Sequence, residues 1–148
     1  MKMQKIVLQT IENDYKSQKK KIISDVIRKY YHIEEYELLY SKNGKPYIKN
    51  NKIYLSISND NNLLLIVFDT KPVGADIQFF KKVPESFKRI LFFDGLDDKE
   101  VITLFSKKES IIKLIDSNIC YINMIDIKKY KVKSFIYDEF VINIANYD

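Results

Sequence analysis

The chain contains 148 residues with a formal net charge of +5 at pH 7, and 46% of its residues are hydrophobic. This length and composition favour one domain, or two closely packed halves, and exclude a largely disordered chain. The longest apolar run, residues 63–68, is too short to cross a bilayer, and the early charges Lys2 and Lys5 disfavour a secretory signal. We therefore expect a cytoplasmic protein that does not contact a membrane.

The first half of the chain combines predicted strands with one long helix. Asp14 is a suitable N-cap, and the apolar residues after it recur at helical spacing as far as Tyr31. Gly44 and Pro46 mark a turn, because glycine permits a positive φ and proline favours an extended backbone. The predicted elements are a strand at residues 3–11, a helix at 14–31, and a hairpin of strands at 53–58 and 63–68.

The second half repeats the order of strand, helix and further strands. Its predicted elements are a strand at residues 73–78, a short helix after Pro84, a helix at 98–116, and strands at 119–127, 132–137 and 140–144. We therefore predict an α+β fold of two similar halves, residues 1–70 and 71–148. Each half is expected to contain an antiparallel sheet and a long helix.

Cysteine and histidine are scarce, which restricts the chemistry. Cys120 is the only cysteine and His32 the only histidine. A single cysteine rules out an internal disulfide, and we expect Cys120 to be a buried, unreactive thiol in the strand at 119–127. The scarcity of nitrogen and sulfur ligands disfavours zinc, and the same scarcity disfavours Ser-His-Asp and Cys-His catalysis. Carboxylates are plentiful, and they prefer hard cations such as Mg²⁺.

The positive net charge raises the question of a nucleic-acid partner. The basic residues are almost all lysines, with Arg28 and Arg89 as the only arginines, in a chain that is also rich in isoleucine, asparagine and tyrosine. We attribute this bias to genome composition, expect lysines 19–21 to form a solvated helix face, and predict no nucleic-acid partner. A small nucleic-acid-binding domain stays open as a weaker hypothesis, which predicts steeply salt-dependent binding.

Asp76 stands inside an apolar strand. Side chains of a strand alternate between its two faces, so Val73, Ala75 and Ile77 are expected to face a core. Gly74, Asp76 and Gln78 are then expected to lie on the other face. An acid in such a strand needs a cation or hydrogen-bond donors if it is buried. The glycine beside it leaves room for a ligand or for another backbone. The alternative is a strand-end aspartate that reaches solvent.

Glu109 and Lys113 lie four residues apart on the helix predicted at 98–116, and therefore on one face of it. Taken alone, this pair is typical of an exposed ion pair, which adds little to stability. A functional interpretation depends on combining the pair with segments elsewhere in the chain.

Four segments occur in order along the chain: GKPY at residues 44–47, LSISND at 55–60, PVGADIQ at 72–78, and FSKKESIIK at 105–113. Together they resemble the 4′-phosphopantetheinyl transferase family. The spacing is similar to that of its larger, two-halved class, which activates peptide and polyketide synthetases. That class reads GKP, (N/S)xSHS, (P/V)(V/I)G(I/V)D(I/V)E and W(T/S)xKE(A/S)xxK.

The resemblance implies Mg²⁺-dependent transfer of the phosphopantetheine arm of coenzyme A to a serine of an acyl or peptidyl carrier protein. It implies Asp76, Gln78 and Glu109 as metal ligands, and Glu109 and Lys113 as catalytic residues, with Glu109 able to serve as general base. A two-halved chain could form this site alone, so we expect a monomer. The residues implied to bind coenzyme A are Lys20, Lys45, Pro46, Ser58, Asn59 and Lys113.

The sequence also departs from the family pattern. Asn59 stands where the family usually has histidine, Gln78 replaces an acidic ligand, and Phe105 replaces tryptophan. The part of the chain before the motifs is also shorter than in the larger class. These departures keep a second hypothesis open, in which a catalytically degenerate homologue binds coenzyme A or a carrier protein without turnover.

Overall fold

The fold combines antiparallel sheets with a long helix, as seen in a computed structural model that describes residues 4–49 and 52–148. In chain order, the elements are strand β1 (Lys5–Thr10), helix α1 (Tyr15–Asp25), strands β2 (Leu38–Tyr40), β3 (Pro46–Ile48), β4 (Tyr54–Asp60), β5 (Leu63–Asp69) and β6 (Gly74–Phe79), helices α2 (Glu85–Ile90) and α3 (Asp98–Ile115), and strands β7 (Tyr130–Ile136) and β8 (Phe140–Tyr147). A π-helical turn at Val26–Tyr30 extends α1, and 3₁₀ helices occupy Ile119–Met124 and Ile127–Lys129.

Two antiparallel sheets of three strands organise these elements, in the orders β1-β5-β4 and β6-β8-β7. Along the chain, α1 follows β1, and α3 comes after β6 and before the hairpin of β7 and β8. Strands β2 and β3 form a separate hairpin. The prediction of a mixed α+β chain with antiparallel sheets and a long helix is confirmed. Within residues 4–49 and 52–148, no helix is both long enough and apolar enough to cross a membrane.

Most predicted elements are present with boundaries shifted by a few residues. Met3, the first residue of the strand predicted at 3–11, lies outside the described residues. The Asp14 side chain caps α1 as predicted, because it accepts a hydrogen bond from the Ser17 N–H at 3.1 Å. At the start of α3, Asp97 and Glu100 form a reciprocal capping box, which explains the sharp onset of this helix.

The strand predicted at residues 119–127 is wrong. Residues Ile119–Met124 form a 3₁₀ helix, and Cys120 is exposed rather than buried. The Asn118 side chain accepts a hydrogen bond from the Cys120 N–H at 2.9 Å and starts this helix. Ile122 and Ile125 then pack against the α3 side of the core, and their spacing of three is the period of a 3₁₀ helix rather than of a strand.

Strand β5 is buried on both faces, because each face packs against a different layer. Leu64, Ile66 and Phe68 belong to the apolar cluster that includes α1. Leu65 and Val67 belong to the cluster that includes residues of β6 and β8. This double burial explains the continuous apolar run of residues 63–68, which shows no alternation.

The two sheets are joined by side chains rather than by backbone pairing. Their adjoining edge strands are β4 and β6, and alternate β4 side chains accept hydrogen bonds from alternate β6 N–H groups at a constant offset of 19 residues. The pairs are Ser56 Oγ with Ala75 N (2.9 Å), Ser58 Oγ with Ile77 N (3.2 Å), and Asp60 Oδ2 with Phe79 N (2.7 Å). We call these bonds the β4–β6 ladder. They satisfy donors of β6 that would otherwise be buried without partners, and they fix one sheet against the other.

Gly74, the first residue of β6, allows α3 to approach the sheet at backbone distance. A Cβ at this position would lie 2.0 Å from Ser110 O and 2.3 Å from Leu114 N. Both atoms belong to the helix backbone and cannot rotate away. The prediction that this glycine makes room for another backbone is therefore confirmed. The close contact brings one face of α3 against the Asp76 side of β6.

We expect Gly74→Ala to lower the free energy of unfolding by about 3 kcal/mol, since the clash with helix backbone is relieved only by separating α3 from the sheet. Gly44→Ala is the control, because Gly44 has a φ of +85° but nothing within 4 Å of an added Cβ. Its backbone strain should cost about 1 kcal/mol. Urea unfolding of both variants measures the difference, and equal losses would contradict a tight contact between α3 and β6.

Candidate functional site

A cleft of about 410 Å³ is lined by residues of β4, β6 and α3. All the predicted site residues except Lys20 and Lys45 line it, although they come from distant parts of the sequence. These residues are Pro46, Ser58, Asn59, Asp76, Gln78, Glu109 and Lys113. Tyr15 and Tyr40, which sequence reasoning did not single out, also line this cleft, as does Lys19, a half-buried member of the lysines predicted to form a solvated helix face.

Asp76 is the most buried carboxylate of the cleft, with 3% of its side chain exposed. Its Oδ1 accepts from Ser58 Oγ at 3.2 Å and from Lys113 Nζ at 3.3 Å, and its Oδ2 accepts from Gln78 Nε2 at 3.1 Å. Burial raises the pKa of this carboxyl, while the Lys113 charge and the hydrogen bonds oppose that rise. The alternative of a strand-end aspartate in solvent is therefore wrong.

Glu109 is half-buried on the face of α3 that lines the cleft. Burial raises the pKa of its carboxyl, and the negative charge of Asp76 raises it further, while Lys113 lowers it. Two carboxylates with raised pKa values in one cleft are typical of functional sites.

Lys113 connects α3 to both sheets. Its Nζ donates to Ile57 O of β4 at 3.3 Å and to Asp76 Oδ1 of β6 at 3.3 Å. In the described residues, its ion pair is with Asp76 and not with Glu109. The interpretation as an ordinary surface pair along the helix is therefore wrong. The lysine side chain keeps 30% of its surface exposed, so its ammonium can still meet a ligand.

Ser58, Asn59 and Gln78 occupy different depths of the cleft. Ser58 is buried and already bonded, because it accepts from Ile77 N in the β4–β6 ladder and donates to Asp76. Asn59, the next residue of β4, is exposed. Gln78 is half-buried, and its amide nitrogen faces Asp76. Ser58 therefore has a structural role in addition to its predicted contact with a ligand.

Lys45 lies beside the cleft rather than in it. Its Nζ donates to Val73 O at 2.8 Å, and the residue lines an adjoining cavity of about 120 Å³. Burial lowers the pKa of the Lys45 ammonium to about 8; Asp116 opposes this effect and Lys113 reinforces it. The lysine thus links the β2–β3 turn to the start of β6.

Lys20 is exposed on α1 and lines a separate groove of about 510 Å³. This groove and the cleft share Lys19 and Tyr40 in their linings, so the two spaces are neighbours. The groove also contains Lys16, which gives it a basic character. Lys20 therefore stands next to the cleft without lining it.

Sequence reasoning missed Ser106 and Asn143. Ser106 is fully buried on α3, and it lies in the fourth motif at a position where the resembled family has serine or threonine, which could have marked it. Asn143 is fully buried on β8 as the cross-strand partner of Asp76. In the sequence, Asn143 is recognisable only as an amide within the apolar segment 141–145. That pattern indicates a place beside Asp76 only once the pairing of β8 with β6 is known.

The donor set of the cleft fits a hard divalent cation. Asp76 and Glu109 are carboxylates whose mutual repulsion a cation would relieve, and Gln78 adds a carboxamide. Among residues 4–49 and 52–148, no group of three or more His, Cys, Asp or Glu side chains is arranged to hold a metal ion. A cation at this site therefore needs further oxygen ligands from a substrate or from water.

No protein-family model matches the chain, and no curated protein matches it significantly. The family resemblance therefore rests on the four sequence segments.

The pairing of Asp76 with Lys113 predicts an asymmetric response to mutation. Lys113→Met leaves a buried carboxylate without its cation, and we expect a loss of about 3 kcal/mol at pH 7. Asp76→Asn leaves a lysine that is 30% exposed and can be hydrated, so we expect a loss below about 1 kcal/mol. Urea unfolding of both variants measures the two losses.

The pH dependence of this comparison follows from the raised pKa of Asp76. The folded state binds the proton of the Asp76 carboxyl more tightly than the unfolded state does. Stability therefore falls as pH rises through the pKa of Asp76 in the folded state. The loss in Lys113→Met should therefore shrink as pH is lowered toward the ordinary aspartate value of 3.8, where the carboxyl is neutral. A loss in Asp76→Asn as large as that in Lys113→Met would contradict this assignment of the buried charge.

Proposed function

We propose that this chain transfers the 4′-phosphopantetheine group of coenzyme A to a serine of an apo carrier protein, with Mg²⁺, and releases adenosine 3′,5′-bisphosphate. One observation carries the proposal. The four segments that resemble the transferase motifs are separated along the sequence, yet residues from each of them line the same cleft. The cleft also holds paired carboxylates and a lysine, which suit the handling of a pyrophosphate.

Asp76 and Glu109 would hold Mg²⁺, with Gln78 beside them as a neutral third ligand. When bound, the cation would neutralise the pyrophosphate and stabilise the charge that develops on the leaving group. Lys113 would place its ammonium against a phosphate oxygen. For this contact it would exchange one hydrogen bond, to Asp76 or Ile57 O, for the substrate.

The nucleophile is the serine hydroxyl of the carrier protein. Its oxygen forms a bond to the phosphorus that bears the pantetheine arm, and the bond from that phosphorus to the bridging oxygen breaks. The bridging electron pair leaves with adenosine 3′,5′-bisphosphate. Glu109 would accept the serine proton.

Coenzyme A is large, and the cleft of about 410 Å³ would hold only part of it. The neighbouring groove beside Lys20 would receive another part, with Lys19 and Tyr40 at the boundary. Pro46, Ser58 and Asn59 would contact the coenzyme from the β3 and β4 side. Lys45 would join them only if its ammonium leaves Val73 O.

The two sheets are proposed to belong to related halves, residues 1–70 and 71–148. In each sheet the first strand pairs with the last strand of a later hairpin, and a helix follows the first strand. Because residues of both sheets line the cleft, one chain could supply the whole site. We therefore propose a monomer that acts in the cytoplasm, where its two substrates occur.

A degenerate homologue that binds coenzyme A or a carrier protein without turnover is the second candidate. It is favoured by Gln78, whose amide nitrogen faces Asp76 and which adds no charge to a cation site. It predicts calorimetric binding of coenzyme A with no modified carrier.

The decisive experiment incubates the purified chain with coenzyme A, Mg²⁺ and apo carrier proteins from fatty-acid, polyketide and peptide synthetases. We expect a mass gain of one phosphopantetheine group on at least one carrier, abolished by a chelator. Asp76→Ala and Glu109→Ala should each lower the rate about 100-fold, because each removes charge stabilisation from the reacting phosphates.

Asp138→Ala is the matched control, since Asp138 is an exposed acid in the turn between β7 and β8. It should keep the native rate. No mass gain on any carrier would overturn the transferase proposal, and a native rate in Asp76→Ala or Glu109→Ala would overturn the assignment of the site.

A further inference from the structure

The interface between α3 and the second sheet is largely apolar. Val141 and Ala145 of β8 pack in apolar clusters that include residues of α3. Between them along the strand, Asn143 is fully buried, and Ser106 of α3 is fully buried as well. Two uncharged polar side chains therefore interrupt this interface next to the cleft.

Asn143 lies directly opposite Asp76 in the pairing of β8 with β6. Side chains of directly paired residues point to the same face of an antiparallel sheet and are close neighbours. The Ser134 hydroxyl donates to Asn143 Oδ1, which fixes the amide. The other end of the amide, Nδ2, has no hydrogen-bond partner in the described part of the chain.

Ser106 reaches the same carboxylate from α3. Its hydroxyl is close enough to lower the pKa of Asp76, but Oγ does not complete a hydrogen bond with any residue described. Ser110, one turn later, is equally buried, yet its hydroxyl donates to Lys107 O at 2.6 Å. Burial alone therefore does not explain why Ser106 is left unpaired.

Unpaired polar atoms in a buried interface destabilise the fold, and they point to a bound water, an ion or a functional role. Here both side chains neighbour one carboxylate, since Asn143 is the cross-strand partner of Asp76 and Ser106 approaches it from α3. Nδ2 is a donor that requires an acceptor, and a serine hydroxyl can donate or accept. A single water molecule can accept from Asn143 Nδ2 and donate to Ser106 Oγ, whose own proton can go to Asp76, and this satisfies both unpaired groups.

We propose that Ser106 and Asn143 are positioning residues that hold one water molecule behind the Asp76 carboxylate. This inference rests on the proposed function in one respect, that Asp76 binds a divalent cation. On the cleft side, Ser58, Lys113 and Gln78 donate to Asp76, and a cation would compete with them for the carboxylate oxygens. Ser106 and Asn143 lie within the helix–sheet interface, so they hold the carboxylate without competing for the cation.

Partners of this kind orient a metal-binding carboxylate, and their loss costs about 10-fold to 100-fold in metal affinity. The test uses the full chain and Mn²⁺ alone, without coenzyme A or carrier, and follows free Mn²⁺ by electron paramagnetic resonance. Ser106→Ala and Asn143→Ala should each weaken Mn²⁺ binding about 10-fold. Ser106→Thr, which keeps the hydroxyl, should retain the native affinity.

Ser110→Ala is the matched control, because it removes an equally buried hydroxyl from the same helix without reaching Asp76. It should leave Mn²⁺ affinity unchanged. Urea unfolding of Ser106→Ala should show a loss of stability no larger than that of Ser110→Ala, which also deletes a buried hydroxyl, and this separates positioning from folding.

Native Mn²⁺ affinity in Ser106→Ala and Asn143→Ala, together with lost binding in Asp76→Asn, would overturn the positioning role and leave the metal site standing. Native affinity in Asp76→Asn would overturn the metal site itself, and this inference with it. Equal weakening by Ser110→Ala and Ser106→Ala would assign the effect to helix packing and also overturn the inference.

Discussion

The β4–β6 ladder is the contact on which the rest of the structure depends. Two sheets meet at strands that do not pair through their backbones, and side-chain oxygens of β4 replace the missing acceptors for β6. Because each acceptor sits on an alternate residue, a shift of one sheet by a single residue would leave every one of these β6 donors unpaired in a buried interface. The ladder therefore fixes the position of Asp76, which stands on β6 between two of its pairs.

The charge arrangement of the cleft follows from this geometry. Asp76 is buried because the ladder closes over one edge of β6 and because Gly74 lets α3 close over its face. The same approach of α3 brings Glu109 near Asp76 and turns Lys113 toward it. The folded chain thus holds two carboxylates whose pKa values are raised, with a single lysine as partial compensation. Such a site costs stability without a ligand, which is common where binding or catalysis sets the requirement.

Local sequence patterns predicted most of the strands, but not β2 and β3. They also predicted the long helices and the side of β6 on which Asp76 lies, because each of these features depends on a short-range period. They failed at Cys120, where alternating residues indicated a strand but the Asn118 side chain starts a 3₁₀ helix. They also missed the role of Ser58 in the ladder and the place of Asn143 behind Asp76. Both depend on which strands are neighbours, and that information is not local. The cleft could be anticipated only from four motifs read together, and the separation of Lys45 from it depends on one long-range bond to Val73 O.

The most direct test of a shared cation site is a crystal structure of the chain grown with Mn²⁺ and coenzyme A, with anomalous scattering recorded to locate the metal. We expect one anomalous peak bonded to carboxylate oxygens of both Asp76 and Glu109, with pyrophosphate oxygens completing its coordination and Lys113 beside them. An anomalous peak bound elsewhere would contradict a cation site shared by Asp76 and Glu109. Coenzyme A bound with the Asp76–Lys113 pair intact and no metal near Glu109 would contradict it as well.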